Sequence, residues 1–205
     1  PAYGTVEMDI AIIGWGSLIW DLEILEPQVD PRWQRGAGPA LPLEFSRVSP
    51  KRKKALALIV DPDHGTSCAT SLVVSRRTSL EEAVADLAAR ERAPLERIGY
   101  ASSRGIWRSN VDGVAERFEA WFDASGFNGA VWTDLPGNFH EETGTPYSLD
   151  AAIAYLKTLE GLSLLEAKRY IELAPKETMT ALRQKLAEEA WWADVPLHRE
   201  LDEAS

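Results

Sequence analysis

Asp9-Ile10-Ala11-Ile12-Ile13-Gly14-Trp15-Gly16-Ser17-Leu18-Ile19-Trp20-Asp21 is the stretch whose reading decides the fold. The run 10–13 is short, apolar and rich in β-branched residues, the pattern of a strand buried on both faces. It stops at Gly14 and Gly16, where the missing Cβ opens backbone angles that other residues resist. Ser17 adds a hydroxyl. A buried strand that opens into a small glycine-bracketed loop can turn several amide N–H groups toward one anion, a carboxylate or a phosphate.

Downstream, 22–42 is rich in Pro and Gly, contains Trp33 and Arg35, and reads as irregular structure. The segment 41–48 predicts a strand with Leu43, Phe45 and Arg47 on one face. A basic turn, Ser-Pro-Lys-Arg-Lys-Lys, follows at 49–54. It reads as a solvated loop, with contact between Arg47 or Arg52 and an anionic substrate group as the functional alternative. The runs 55–60 and 67–74 predict a β-hairpin joined through Asp61-Pro62-Asp63-His64-Gly65. In that reading His64 is a turn residue and Cys68, the only cysteine of the chain, is a small core residue.

The spacing predicts a helix over 78–92. Ser79 and Glu82 form a capping box at its start. Leu80, Val84, Leu87 and Glu91 recur every three or four residues and share one face. Pro94 disfavours helix at Ala93. A carboxylate, Glu91, therefore ends an apolar stripe. A carboxylate turned toward the interior is costly unless paired or protonated, which makes Glu91 the candidate general acid/base. Arg90 and Arg92 flank it and are read as pointing elsewhere.

Beyond Pro94, 96–112 is mixed. The segment 115–122 alternates, with Phe118, Ala120 and Phe122 on one side, and predicts a strand paired with another over 130–133. His140 lies near Glu141 and Glu142, but no second His or Cys is close enough in sequence to complete a metal site. Three helices are predicted at the end. The first carries the stripe Leu149, Ile153, Leu156 and Leu159. The second starts at a Ser163–Glu166 capping box and ends before Pro175. The third carries Met179, Leu182, Leu186 and Ala190 and ends at Trp191 and Trp192. Residues after Pro196 read as polar and frayed.

A chain of 205 residues, 45% hydrophobic and 26% charged, has the composition of one ordinary globular domain. A formal net charge of −10 argues against nucleic-acid binding and against attraction to an anionic membrane. No apolar run approaches the roughly 20 residues that span a bilayer. Segment 1–9 lacks the basic and apolar parts of a signal peptide, and a cytoplasmic location is expected. A dinucleotide-binding turn would need G-x-G-x-x-G, but Ile19 stands at the third glycine position and no helical period follows.

The stretch Gly14-Trp15-Gly16-Ser17-Leu18-Ile19-Trp20 resembles the strand-end signature of the γ-glutamylcyclotransferase family, nearest the G-Y-G-S-L-I-W form of its ChaC-like branch, with Trp15 where that form has Tyr. Leu87-Ala-Ala-Arg-Glu91 resembles the L-x-x-R-E segment of the same branch, and Leu43-x-Phe45-x-Arg47 the strand before its hairpin. The order matches too: strand, glycine loop, basic segment, hairpin, helix with Glu. The resemblance covers the chain up to Pro94 and is loose afterwards.

The resemblance implies an α+β fold, a small, mixed, largely antiparallel β-barrel with flanking and C-terminal helices. A single domain would comprise a barrel over 1–147 with the helix 79–92 inserted, and C-terminal helices over 148–194 packed on it. It implies an enzyme that cleaves a γ-glutamyl amide through attack by the substrate's own α-amine, releasing 5-oxoproline and an amine or amino acid. Glu91 would be the catalytic residue, and Gly14, Trp15, Gly16, Ser17, Leu18 and Arg47 would bind the substrate. Neither a metal nor an organic cofactor is required. The partner would be a small γ-glutamyl compound, glutathione among the possibilities, and the chain a monomer or homodimer. The alternative is a non-catalytic module that binds a small ligand on the same fold.

Overall fold

Residues Ile10–Gly14 form β1, and none of the five is exposed. The structure, a computed structural model, describes residues 7–199. The readings of segment 1–9 and of the stretch after Pro196 fall in part outside it. After β1 come α1 (Ser17–Trp20), β2 (Val29–Gln34), β3 (Ala40–Val48), β4 (Leu56–Val60), β5 (Thr66–Ala69), β6 (Ser71–Ser75), α2 (Leu80–Glu91), β7 (Ile98–Ser102), β8 (Trp107–Arg108), α3 (Val114–Ser125), β9 (Gly129–Thr133), α4 (Phe139–Thr143), α5 (Leu149–Thr158), α6 (Gly161–Glu172), α7 (Ala181–Leu186) and α8 (Ala190–Asp194). The fold is α+β with predominantly antiparallel pairing. The described residues divide into two compact units, one of 7–41 and 69–135, the other of 42–68 and 136–199.

The first unit holds a six-stranded sheet in the order β2-β6-β1-β9-β7-β8. β1 runs antiparallel to β6, with Ala11 opposite Val74, and parallel to β9, with Ile10 opposite Gly129. The sheet has two edges, β2 and β8, so the described strands do not close into the barrel that the resemblance implies. Both faces are covered. Ile10, Ile12, Val73, Ile98, Tyr100 and Val131 point to the side packed by Leu80, Ala83, Val84 and Leu87 of α2. Each large apolar side chain buried there contributes about 1.5–3 kcal/mol. The capping box forms, with the Glu82 N–H donating to the Ser79 hydroxyl at 3.2 Å.

Side chains alternate across a strand, so Trp132 faces the other way from Val131. It stacks on Phe118 of α3 with ring centroids 4.3 Å apart, and its indole N–H donates to Asp134. Gly99, its cross-strand neighbour, leaves room for that indole: a Cβ there would lie 2.4 Å from the ring.

Three readings in the first unit are corrected. The segment 115–122 is helix, not strand. Its buried residues Val114, Phe118 and Phe122 recur every four, whereas Ala120, assigned to the same face by alternation, is exposed. β9 accordingly pairs with β1 and β7. The region 22–42 is not wholly irregular, because it contains a 3-10 segment at Glu23–Gln28 and then β2.

The second unit carries the sheet β4-β3-β5. Here the expected hairpin is overturned: β4 and β5 lie on opposite edges of β3. The connection arches over the start of β3, with the Asp61 N–H donating to the Pro42 carbonyl at 2.8 Å and Gly65 so close that a Cβ would lie 2.5 Å from the Pro42 backbone. The run 67–74 is likewise two strands, β5 and β6, in different sheets.

β3 is buried on both faces rather than one, Glu44 included. The Glu44 carboxylate accepts from the Phe45 N–H at 2.8 Å and the Leu182 N–H at 3.2 Å, the second at the start of α7. The second C-terminal helix starts at Gly161, earlier than the Ser163–Glu166 box predicts, and Glu166 is engaged by Arg52 and Arg169. The third is broken into α7 and α8.

Burial pushes the Glu44 carboxyl above its ordinary value, against the opposing pull of the N–H groups it accepts from. The folded state then holds this proton more tightly than the unfolded chain. The associated stability is complete below the ordinary value of 4.5 and is lost as pH rises through the folded value. Thermal melts from pH 4 to 8 are expected to show the Tm of the wild type falling relative to Glu44→Gln as pH rises. A pH-independent difference would mean that this carboxyl titrates as in the unfolded chain.

Candidate functional site

β1 delivers the glycine turn to one end of its sheet. Gly14 ends the strand, Trp15 and Gly16 follow, and Ser17–Trp20 forms one helical turn with the Ile19 N–H donating to the Gly16 carbonyl at 3.0 Å. Gly14 and Gly16 do not take the left-handed angles that their glycines allow. Gly14 is needed for space instead: a Cβ there would sit 2.7 Å from the Trp33 ring. Trp15, Gly16 and Leu18 are buried, and Ser17 is half-buried.

α2 brings Glu91 to the same end. The Met8 N–H donates to the Thr78 carbonyl at 3.0 Å, which starts α2 beside the beginning of β1. The helix then runs along the strand to Glu91 and stops as expected before Pro94. Arg92 takes a left-handed conformation (φ 49°), and the Ala93 N–H donates back to the Ala88 carbonyl. The Glu91 side chain is 23% exposed.

Arg90, and not only Glu91, turns inward. It is 7% exposed. Its guanidinium is 3.3 Å from Glu91 Oε1, donates through Nη2 to the Asp21 carbonyl at 2.7 Å, and lies 3.8 Å from Glu23. Glu23 also pairs with Arg92 at 3.2 Å. Asp21 caps the turn Ser17–Trp20. One cation thus touches both the candidate acid/base and the exit of the glycine turn. The reading of Arg90 as pointing elsewhere is corrected. A signal was present in the sequence, since Ala83, Leu87 and Arg90 follow helical spacing on the apolar side. Trp33, assigned to irregular structure, was missed as the neighbour of Gly14 because its strand has exposed residues and proline.

Four other residues singled out by the sequence belong to the second unit. Arg47 donates there to the Pro136 carbonyl at 2.7 Å. Arg52 pairs with Glu166 and lies 4.1 Å over the Tyr170 ring. His64 contacts the Asp61 carboxylate at 3.0 Å within its turn. Cys68 is buried, and burial raises its thiol. A hollow lined by Met8, Leu80, Ile106 and Asn128 is at the opposite end of β1 from Glu91. Among the described residues no cluster of His, Cys, Asp or Glu suited to a metal ion occurs, and no helix is long and apolar enough to cross a membrane.

No family model, curated protein or solved structure matches the chain.

The Gly14–Trp33 contact is directly testable. Gly14→Ala is expected to cost roughly 1–3 kcal/mol by overpacking. Trp33→Leu in the same chain is expected to recover part of that loss. A double-mutant cycle by chemical denaturation measures the coupling, and additive losses would mean that the ring swings clear of the methyl group.

Proposed function

We propose that the chain is a γ-glutamylcyclotransferase-like enzyme, as its motifs resemble, acting on a small γ-glutamyl compound. The observation that carries this reading is the link from Glu91 through the Arg90 guanidinium to the Asp21 carbonyl, which joins the carboxylate to the glycine turn. The proposal rests on the strand, glycine turn and glutamate-bearing helix, and not on closure of the sheet.

The substrate carries its α-amine and its γ-amide in one molecule. The amine attacks the γ-carbonyl, a C–N bond closes the five-membered ring, and the bond to the leaving amine breaks. The attacking ammonium must first lose a proton, and the leaving nitrogen must gain one. A single carboxylate within reach of both can take the first proton and return it, which is the part assigned to Glu91. The reacting groups are already tethered, so holding the glutamyl chain folded supplies much of the rate. The amides around Gly16, Ser17 and Leu18 are assigned to the glutamyl α-carboxylate or the developing oxyanion. The reaction calls for no metal or organic cofactor.

The test is 5-oxoproline release from glutathione, γ-glutamyl dipeptides and γ-glutamyl amines, with Glu91→Gln run beside the wild type. Wild-type release from at least one compound is expected, falling by on the order of 10²-fold or more in Glu91→Gln once rates are normalised to the folded fraction. Equal rates would remove Glu91 from its role. Binding of a compound without release would favour a non-catalytic ligand-binding module.

A further inference from the structure

Arg90 is an unusual residue to bury on a helix that otherwise packs its apolar stripe against a sheet. A buried guanidinium is costly unless its charge is paired and its N–H groups are engaged; among the described residues Nε of Arg90 has no hydrogen-bond partner, so its two terminal nitrogens carry the pairing. Here it makes two bonds in different directions through different nitrogens. Nη1 reaches the carboxylate of the next residue, Glu91, at 3.3 Å, and Nη2 reaches the main-chain carbonyl of Asp21 at 2.7 Å. Neighbouring residues on a helix project about 100° apart, so the long Arg side chain must fold back to meet Glu91. The planar fork makes this possible, because its separate N–H groups are held at fixed angles.

From this geometry we infer that Arg90 is the positioning residue of the site: it sets the Glu91 carboxylate relative to the glycine turn without touching substrate. The inference rests on the cyclotransferase reading above. The turn holds the glutamyl group, and Glu91 moves the proton of that group's amine. Their separation therefore decides whether the amine and the carboxylate meet. Arg90 fixes the separation at both ends at once. Glu23, 3.8 Å from the guanidinium and 3.2 Å from Arg92, adds a second anionic neighbour that balances the charge.

The test compares wild type, Arg90→Lys and Arg90→Gln for 5-oxoproline release from the same panel, with rates normalised to the folded fraction from melting curves. Displacement of a reacting group by about 1 Å can cost on the order of 10²-fold. Arg90→Gln is expected to lose kcat by about that factor with KM within about threefold, since ground-state contacts to the substrate remain. Lysine keeps the charge, but its single nitrogen cannot occupy both the Nη1 and Nη2 positions of the fork, so Arg90→Lys is expected to lose only about tenfold in kcat. If Arg90→Gln fails to fold, Arg90→Lys alone decides, a tenfold loss of kcat at unchanged KM supporting the role. Wild-type kcat in either folded variant, or Arg90→Lys no better than a folded Arg90→Gln, overturns the positioning role and leaves the cyclotransferase reading standing. Absence of release by the wild type overturns that reading and the role together.

Discussion

A strand with no exposed residue must be paired on both edges and covered on both faces. β1 imposes that demand on the whole first unit. β6 and β9 satisfy its edges, one antiparallel and one parallel. α2 covers one face, and the aromatic stack of Phe118 and Trp132 lies on the other. The same demand fixes the place of the candidate site. A strand that is dry along its length can expose functional groups only where it ends, and β1 ends in Gly14. The helix that covers it runs in the same direction, so its last turn arrives at the same end. Glu91 and the glycine turn are brought together by the packing of two elements rather than by a loop.

Where the sequence was read correctly, local and long-range requirements coincide. Ile10 to Gly14 is a strand by propensity and by burial. The Ser79–Glu82 box starts α2 where the apolar stripe starts, and Pro94 lies just beyond its end. The misreadings occur where a short window admits two periods or where pairing is long-range. Phe118, Ala120 and Phe122 satisfy an alternating pattern, but Val114, Phe118 and Phe122 satisfy a helical one, and the exposed Ala120 decides between them. The turn 61–65 has hairpin chemistry, yet whether β5 returns beside β4 or crosses to the far edge of β3 depends on backbone packing at Pro42, which no local signal encodes. Closure of the sheet is in the same class: it depends on how edge strands meet, and the described strands leave β2 and β8 as edges.

The candidate site shows the same division. The carboxylate of Glu91 and the glycine turn were legible from residue type and order. Their connection was not, because it passes through a charged side chain and a main-chain carbonyl. Charged residues next to an acid on a helix are normally discounted as solvated. Arg90 departs from that habit because its position also belongs to the apolar side of α2, and its burial follows from the helix packing. The role of Gly14 was misjudged for a related reason. Its backbone angles are ordinary, and what excludes a side chain is the ring of Trp33 in a neighbouring part of the sheet.

The Gly99–Trp132 pair has a consequence for how this sequence can drift over generations. Any side chain at position 99 would collide with the indole, so that position stays closed while Trp132 is present. Losing Trp132 first would open a void against Phe118 and take one donor from Asp134. Neither single step is expected to be neutral, and a side chain at position 99 requires a smaller residue at position 132. The residue that position 99 can accept is thus set by position 132, although more than thirty positions separate them in the chain.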